Sequence, residues 1–254
     1  PKYYLKAFYD GMTAEGDTMP ISLIRSAWAG SAKYGALVWS GDIVSTFECF
    51  RRQVQAGLNM AIAGIPWWTT DIGGFHGPDF HRLYIRWFEY GCFCPVMRLH
   101  GNRNPQEGYG AEQIGSGSDN EIWSFGDKAY EISKKYIFLR ERLRDYIRTQ
   151  MKKAHEDGTP MMRPVFYDFP TDQESWNVED AYLFGPDLYV APVMEDHVTE
   201  REVYLPDGTA WFNAWTGEKY EGGQNVTVAA PLDTIPVFVK EGADAEKLLN
   251  IFSE

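Results

Sequence analysis

Residues 38–50 read VWSGDIVSTFECF. An apolar run halts at Ser-Gly-Asp and what resumes has helical character, so the stretch reads as a strand, a tight loop and a helix in succession. One carboxylate, Asp42, stands at the junction. An Asp just ahead of a helix ordinarily accepts hydrogen bonds from the free amides of the first turn. The alternative is a carboxylate left available for acid chemistry. Taken alone, a single Gly-Asp favours the cap.

Working outward, the same unit recurs. ISLIRSAWAG (21–30), GALVWSGD (35–42), MAIAGIPWWTTD (60–71) and FCPVMRLHG (93–101) each hold a compact apolar run followed by Gly, Asp, Arg or His. Between them lie segments of helical spacing, FECFRRQVQAGLN (47–59) and FHRLYIRWFEYG (80–91), in which Phe80, Leu83, Tyr84 and Trp87 share a face. Alternating strands and helices predict parallel strands with crossover helices, hence a barrel or a doubly wound sheet. DIGGFHG (71–77) has glycines but no phosphate-cradling G-x-G-x-x-G opening a helix, which weighs against a dinucleotide-binding fold.

A single long helix is predicted from Asp127 to about Glu156, with Ile132, Tyr136, Leu139, Leu143, Ile147 and Met151 as its stripe and Gly158 and Pro160 ending it. Beyond Pro160 the rhythm changes to an all-β pattern: PVFYDF, AYLFGPDLYVAPV, REVYLP, AWFNAW, NVTVAAP and TIPVFVKEG read as strands separated by turns such as PDG and TGE. A β-sandwich is expected there. The boundary is placed at 158/159, giving an α/β unit over 1–158 and a β unit over 159–254. Residues 244–254 read as a short helix or frayed tail.

Composition excludes several classes. With a net charge of −12 and no basic face, the 254-residue chain is not built for nucleic acid. Hydrophobic residues make up 44%, an ordinary globular content that supports a sizeable core. No apolar run is long enough to cross a bilayer, and PKYYLKAFYDG lacks the plan of a signal peptide, so a soluble chain is expected. Cys49, Cys92 and Cys94 have no metal-ligand spacing and read as small buried residues, the latter two alternating in strand fashion. They assign no compartment. His76 and His81 stand five apart, which suits neither a helical zinc pair nor a finger, so no metal or other cofactor is expected. The NVT triplet at 225–227 falls in an expected strand and carries no weight as a glycosylation site.

Polar residues collect at the strand ends: Arg25, Asp42, Asp71, then Arg98 with His100. In a parallel fold those ends share one rim, where such folds place their sites. Trp28, Trp39, Trp67, Trp68 and Phe75 lie close by in sequence, and aromatic faces beside acids, Arg and His suit the C–H surfaces and hydroxyls of a sugar. Each Trp taken singly reads as core filling. The set points to carbohydrate.

LIRSAWAG, VWSGD, GIPWWTTDIGGF, MRLHG, GTPMMRPVFYDFP, YLFGPDLYVAPV and PLDTIPVFVKEGA, in this order from Leu23 to Ala243, resemble the signatures of glycoside hydrolase family 31, the α-glucosidases and α-xylosidases. The resemblance implies strands five to eight of a (β/α)8 TIM barrel followed by the proximal C-terminal β-sandwich. It also implies roles: Asp42 as general acid/base, Arg25 and Asp71 lining the sugar subsite, His100 bonding substrate hydroxyls, Arg98 tying the acids together, and Trp39 and Phe75 as pocket walls. A retaining glycosidase needs a second carboxyl as nucleophile, roughly 5–5.5 Å from the first. The family carries it in a W-x-D-M-N-E-like stretch on the fourth strand, and no such stretch occurs here. The expectation is therefore a half-barrel, inactive alone, whose open edges favour self-association.

GIPWWTTDIGGFHG and RLHGNRNPQEGYG resemble the bacterial α-xylosidases that act on xyloglucan oligosaccharides. Xylose lacks the exocyclic CH2OH of glucose, so Trp67 or Trp68 is expected to fill that space. An α-glucosidase or α-transglucosylase is the alternative within the family. A non-catalytic carbohydrate-binding module is the alternative from another class.

Overall fold

The computed structural model describes residues 1–77, 81–102 and 119–253, with the side chain of His81 excepted. Phe80 and most of the NRNPQEGYG segment lie outside the described residues. The chain opens with a helix, α1 (Lys2–Ala14), over a segment read above only for its lack of a leader pattern. Three parallel strands follow, β1 (Ser22–Ile24), β2 (Ala36–Trp39) and β3 (Trp68–Thr69), paired in sequential order. Between β2 and β3 runs α2 (Phe47–Ile62), and α3 (His81–Cys92) follows β3.

Alternation along β2 sorts its side chains. Ala36 and Val38 are buried on the helix side, while Leu37 and Trp39 face the other way and are half-buried. In register, Val38 opposes Trp68 and Trp39 opposes Thr69. Trp68 therefore packs outward against α2, where a Cβ on Gly57 would stand 2.7 Å from its Nε1. That glycine is what lets the helix lie on the sheet.

The fourth expected strand, 93–101, does not form. After α3 the chain makes a turn and continues irregularly, with one tie to β3, Val96 N–H to the Trp68 carbonyl at 3.2 Å. Cys92 thus closes a helix and Cys94 lies in the turn, both buried, correcting their strand reading. Burial pushes both thiols up to about 12. Cys49 is only half-buried.

The long helix is two, α4 (Asp127–Arg142) and α5 (Arg144–Asp157), meeting at buried Leu143. The apolar stripe from Ile132 to Ile147 is continuous across the break and buried, which is why periodicity alone missed it. Gly158 in the left-handed region ends α5 as expected.

The remainder is antiparallel. β4 (Met162–Arg163), β5 (Tyr182–Phe184), β6 (Leu188–Val190), β7 (Glu200–Leu205), β8 (Ala210–Asn213), β9 (Lys219–Glu221), β10 (Gln224–Ala229) and β11 (Val237–Lys240) form a six-stranded sheet ordered β4-β5-β6-β11-β8-β9 and a pair, β7 with β10. PVFYDF is not a strand but a turn of 3-10 helix, Val165–Tyr167. Leu183, Tyr189, Trp211 and Phe238 of the large sheet pack with Val203, Leu205 and Val228 of the pair. The other face of the large sheet, with Tyr182, Phe184, Val190 and Val237, shares a second cluster with α3 and α4. The tail is a helix, α6 (Ala245–Ser253), whose Phe252 stacks near Phe93.

One junction ties the parallel part to the antiparallel part through buried charge. Arg86 of α3, 2% exposed, donates to the carbonyls of Ala230 at 2.7 Å, Pro231 at 2.9 Å, Thr234 at 3.2 Å and Val198 at 3.3 Å. It also pairs with fully buried Glu89 at 3.2 Å. Tyr136 and Lys135 of α4 add bonds to the Asp233 carbonyl at 3.2 and 2.7 Å.

Candidate active site

The cap of α2 decides the opening question. Its N-cap is Thr46, whose Oγ1 accepts from the Cys49 amide at 3.1 Å. Asp42 is not spent on capping. It sits past the C-terminal end of β2, beyond Gly41, with its carboxylate 3.0 Å from the Arg25 guanidinium and about half exposed to solvent. Arg25 itself follows β1 directly, and its guanidinium lies 5.7 Å from the centre of the Trp39 ring. The parallel pairing of β1 with β2 brings both residues to one rim.

The end of β3 supplies the second carboxylate. Asp71 has no solvent exposure and is ion-paired to Arg98. Its amide donates to Ser40 Oγ at 3.3 Å, joining the end of β3 to the end of β2. Burial pushes the Asp71 carboxyl above its usual range; Arg98 and His100 pull it back, and the nearby Asp42 adds to the upward push. Arg98, His100 and Asp42 thus each lie within electrostatic reach of Asp71. Among the described residues Arg98 ties Asp71 and not Asp42, which is held by Arg25, so the expectation that Arg98 bridges the acids is corrected to two separate pairs.

Phe75 and His100 complete the cluster, their rings 5.4 Å apart. Trp28 is 75% exposed in the β1–β2 connection, its amide donating to Ser31 Oγ at 3.0 Å. Trp67 and Trp68 are elsewhere. Trp68 is in the core against α2, and Trp67 lines a cavity with Ala32, Ala36, Pro66 and His155 at the N-terminal end of the strands. Neither walls the rim, and the expectation that one of them excludes a hydroxymethyl group is overturned by the outward pleat of Trp68 and by the position of Trp67.

Two contributors escaped the sequence reading. Ser40 links the two acid-bearing loops, and the Gly73–Gly74 doublet shapes the turn before Phe75. The doublet was the available signal: glycines with no phosphate motif to explain them mark a backbone that must pass close to something. No group of three or more His, Cys, Asp or Glu among the described residues is placed to hold a metal ion.

The arrangement offers an accessible carboxylate beside a cation, a buried carboxylate–guanidinium pair, an imidazole and aromatic walls. Such a set can exchange a proton at one carboxyl and bind vicinal hydroxyls with the rest. Comparison with known proteins bears on its class. Residues 1–150 match the glycosyl hydrolases family 31 TIM-barrel domain, and residues 158–243 match the glycosyl hydrolase family 31 C-terminal domain. An alpha-xylosidase of Saccharolobus solfataricus is 38% identical over 248 residues, covering 96% of this chain and 32% of the relative. Alpha-glucosidase 2 of Bacillus thermoamyloliquefaciens is 35% identical, over 88% of this chain and 27% of its own length. A crystal structure of a GH31 alpha-xylosidase from a soil metagenome, complexed with xylose, superposes with a TM-score of 0.90 at 53% identity, covering 98% of this chain and 38% of that one. The chain spans about a third of the length of these relatives. It belongs to glycosyl hydrolase family 31.

Proposed function

We propose that the chain carries the acid/base half of a retaining α-glycosidase, an α-xylosidase acting on xyloglucan-type oligosaccharides, with Asp42 as the general acid/base. The observation that carries this reading is the gathering of Arg25, Asp42 and Asp71 just past the ends of three adjacent parallel strands, with Arg98 and His100 of the following irregular segment brought to Asp71, and with Asp42 free of any capping duty. In this reading residues 1–158 are the C-terminal half of the barrel, with β1, β2 and β3 as three of its strands and 93–101 running irregularly beside β3, and residues 159–254 are the proximal β-sandwich. Arg25, Asp71, Arg98 and His100 bind the sugar, and Trp39 and Phe75 wall it.

In the first step a carboxylate outside this chain attacks the anomeric carbon, the bond to the leaving oxygen breaks, and the Asp42 proton passes to that oxygen. In the second, Asp42 takes a proton from water as the water displaces the enzyme carboxylate. Without the nucleophile neither step proceeds, so the chain alone is inactive.

Xyloside preference draws on the relatives, since Trp67 and Trp68 do not supply it: the S. solfataricus protein and the metagenomic structure are both named alpha-xylosidase. The alpha-glucosidase 2 relative supports the second reading, an α-glucosidase or α-transglucosylase. The complete gene product carrying this chain, assayed on p-nitrophenyl α-xyloside and p-nitrophenyl α-glucoside, is expected to cleave the xyloside faster. Faster glucoside cleavage replaces the first reading with the second.

A further inference from the structure

The turn carrying Phe75 does more than present an aromatic ring. The Phe75 amide donates to the Ile43 carbonyl at 2.7 Å, next to Asp42, and the Phe75 carbonyl accepts from the Asn102 amide at 2.6 Å, two residues beyond His100. His76 N–H also reaches the Ile43 carbonyl at 3.1 Å, and the Ser45 amide returns a bond to the His76 carbonyl at 2.8 Å. Val44 and His76 thereby form an isolated parallel bridge between loops that belong to no common sheet. Three segments that carry site residues are thus cross-linked by main chain through one residue.

Gly74 makes the approach possible. It lies at φ +86°, and a Cβ there would stand 2.6 Å from Ser45 Oγ and 2.7 Å from both the Cα and N of Ser45. Two of those three obstacles are backbone. They cannot be relieved by rotating a side chain. Any residue other than glycine must push the Asp42–Ser45 loop away from the Phe75 turn.

We propose that Gly74 and the Phe75 main chain are positioning elements for the acid/base, fixing where Asp42 stands relative to His100 without contacting substrate. This rests on the assignment of Asp42 made above. The consequence is selective. A displaced acid fails to deliver its proton, so cleavage of a bond to a poor leaving group suffers most, and misplacement by about 1 Å costs on the order of 100-fold. A leaving group that departs unprotonated, such as fluoride, is spared.

The test compares Gly74→Ala, Ser40→Ala and Asp42→Ala with the unmodified complete gene product, on α-xylosyl-(1→6)-glucose and on α-xylosyl fluoride. Azide is added in the fluoride assay as a nucleophile that needs no general base. Gly74→Ala is expected to lose tenfold or more of kcat on the disaccharide, by the order of magnitude just given, with KM little changed and with fluoride turnover held within about threefold. Ser40→Ala, which removes the acceptor for the Asp71 amide and a 3.4 Å bond to the Gly41 carbonyl, is expected to show a smaller loss in the same direction. Equal losses on both substrates, or no loss in either variant, overturn the positioning role. If Asp42→Ala itself lacks the leaving-group signature, the assignment of the acid falls first. If Asp42→Ala shows it and the other two variants do not, only the present inference falls. Absence of turnover by the unmodified protein on both xylosides overturns both.

Discussion

Arg98 closes on Asp71, a carboxylate with no solvent exposure, while itself remaining about one-fifth exposed. The pair is asymmetric: the acid has given up its water, the base only part of it. Burial is the main influence on Asp71 and raises its proton affinity, with Arg98 the largest opposing one. The Arg98 guanidinium therefore opposes, without fully cancelling, the cost of burying the Asp71 charge.

Arg98→Met should expose that dependence. Removing one partner of a buried pair leaves an uncompensated charge and costs about 3–5 kcal/mol. The sign with pH follows from the raised folded-state value: the folded form binds more protons than the unfolded one, so the penalty is small near the unfolded pKa and grows as pH rises through the folded one. Urea unfolding of the chain at pH 5 and pH 8 should show the larger loss at pH 8, and Asp71→Asn added to Arg98→Met should recover much of it. A loss independent of pH counts against the pair as described.

Glu89 gives a second pH signature from the other side of α3. It is fully buried against Arg86, Tyr136 and Lys135, and burial pushes its carboxyl up to about 8 from 4.5. Its contribution to stability is therefore fully present below pH 4.5 and declines as pH rises toward 8, by up to about 1.4 kcal/mol per unit for one proton. Glu89→Gln should flatten the unfolding free energy across that window, gaining most at pH 8. Arg86→Met should destabilise at every pH, because the carbonyls of Ala230, Pro231, Thr234 and Val198 lose their donor together, and more so at pH 8, where Glu89 also loses its counter-charge.

Trp68 offers a test of where specificity does not reside. Its ring packs on Gly57 and Met162, away from the rim. Trp68→Phe in the complete gene product should lower thermal stability yet leave the ratio of xyloside to glucoside turnover unchanged. Gly57→Ala should destabilise by about 1–3 kcal/mol, since overpacking against the indole outweighs the gain in helix propensity. A changed substrate ratio in Trp68→Phe would return Trp68 to the pocket.

These residues mark where sequence was legible. The strand–loop–helix at 38–50 could be read because β2 is a compact apolar run and α2 begins after a polar break, and the strand ends placed Arg25, Asp42 and Asp71 on one rim because parallel strands leave no other arrangement. Which side of a strand a Trp takes depends on register, and Val38 opposite Trp68 is a non-local pairing. The helix break at Leu143 left the apolar stripe intact, so hydrophobic spacing carried no trace of it. Arg86 and Glu89 are ordinary surface residues by type, and their burial comes from the 230–235 segment, far along the chain. Gly74 matters through Ser45, a neighbour only in space.

Self-association is the remaining expectation, and the N-terminal region supplies its physical basis. In the order β1-β2-β3, β1 is an outer strand with one unpaired edge. Leu23 on it is 44% exposed, and α1 nearby presents Tyr3, Tyr4 and Phe8 at 85, 65 and 50% exposure, with the Tyr4 and Phe8 rings 4.8 Å apart. Unpaired edges and exposed apolar surface both favour pairing with another chain, while the inner side of α1 packs beside the 3-10 turn at 32–34, with the Tyr9 and Tyr34 rings 5.8 Å apart. Light scattering on the isolated chain should therefore give a mass above one protomer that rises with concentration. Tyr4→Lys with Phe8→Lys should move it toward the monomer, because a charge costs little on an open surface and much in a buried contact. Lysine is a good helix former, which offsets the few tenths of a kcal/mol, roughly, that two like charges one turn apart cost the helix. A compact monomer at high concentration for the unmodified chain, or an assembly indifferent to both lysines, places the sticky surface elsewhere or removes it.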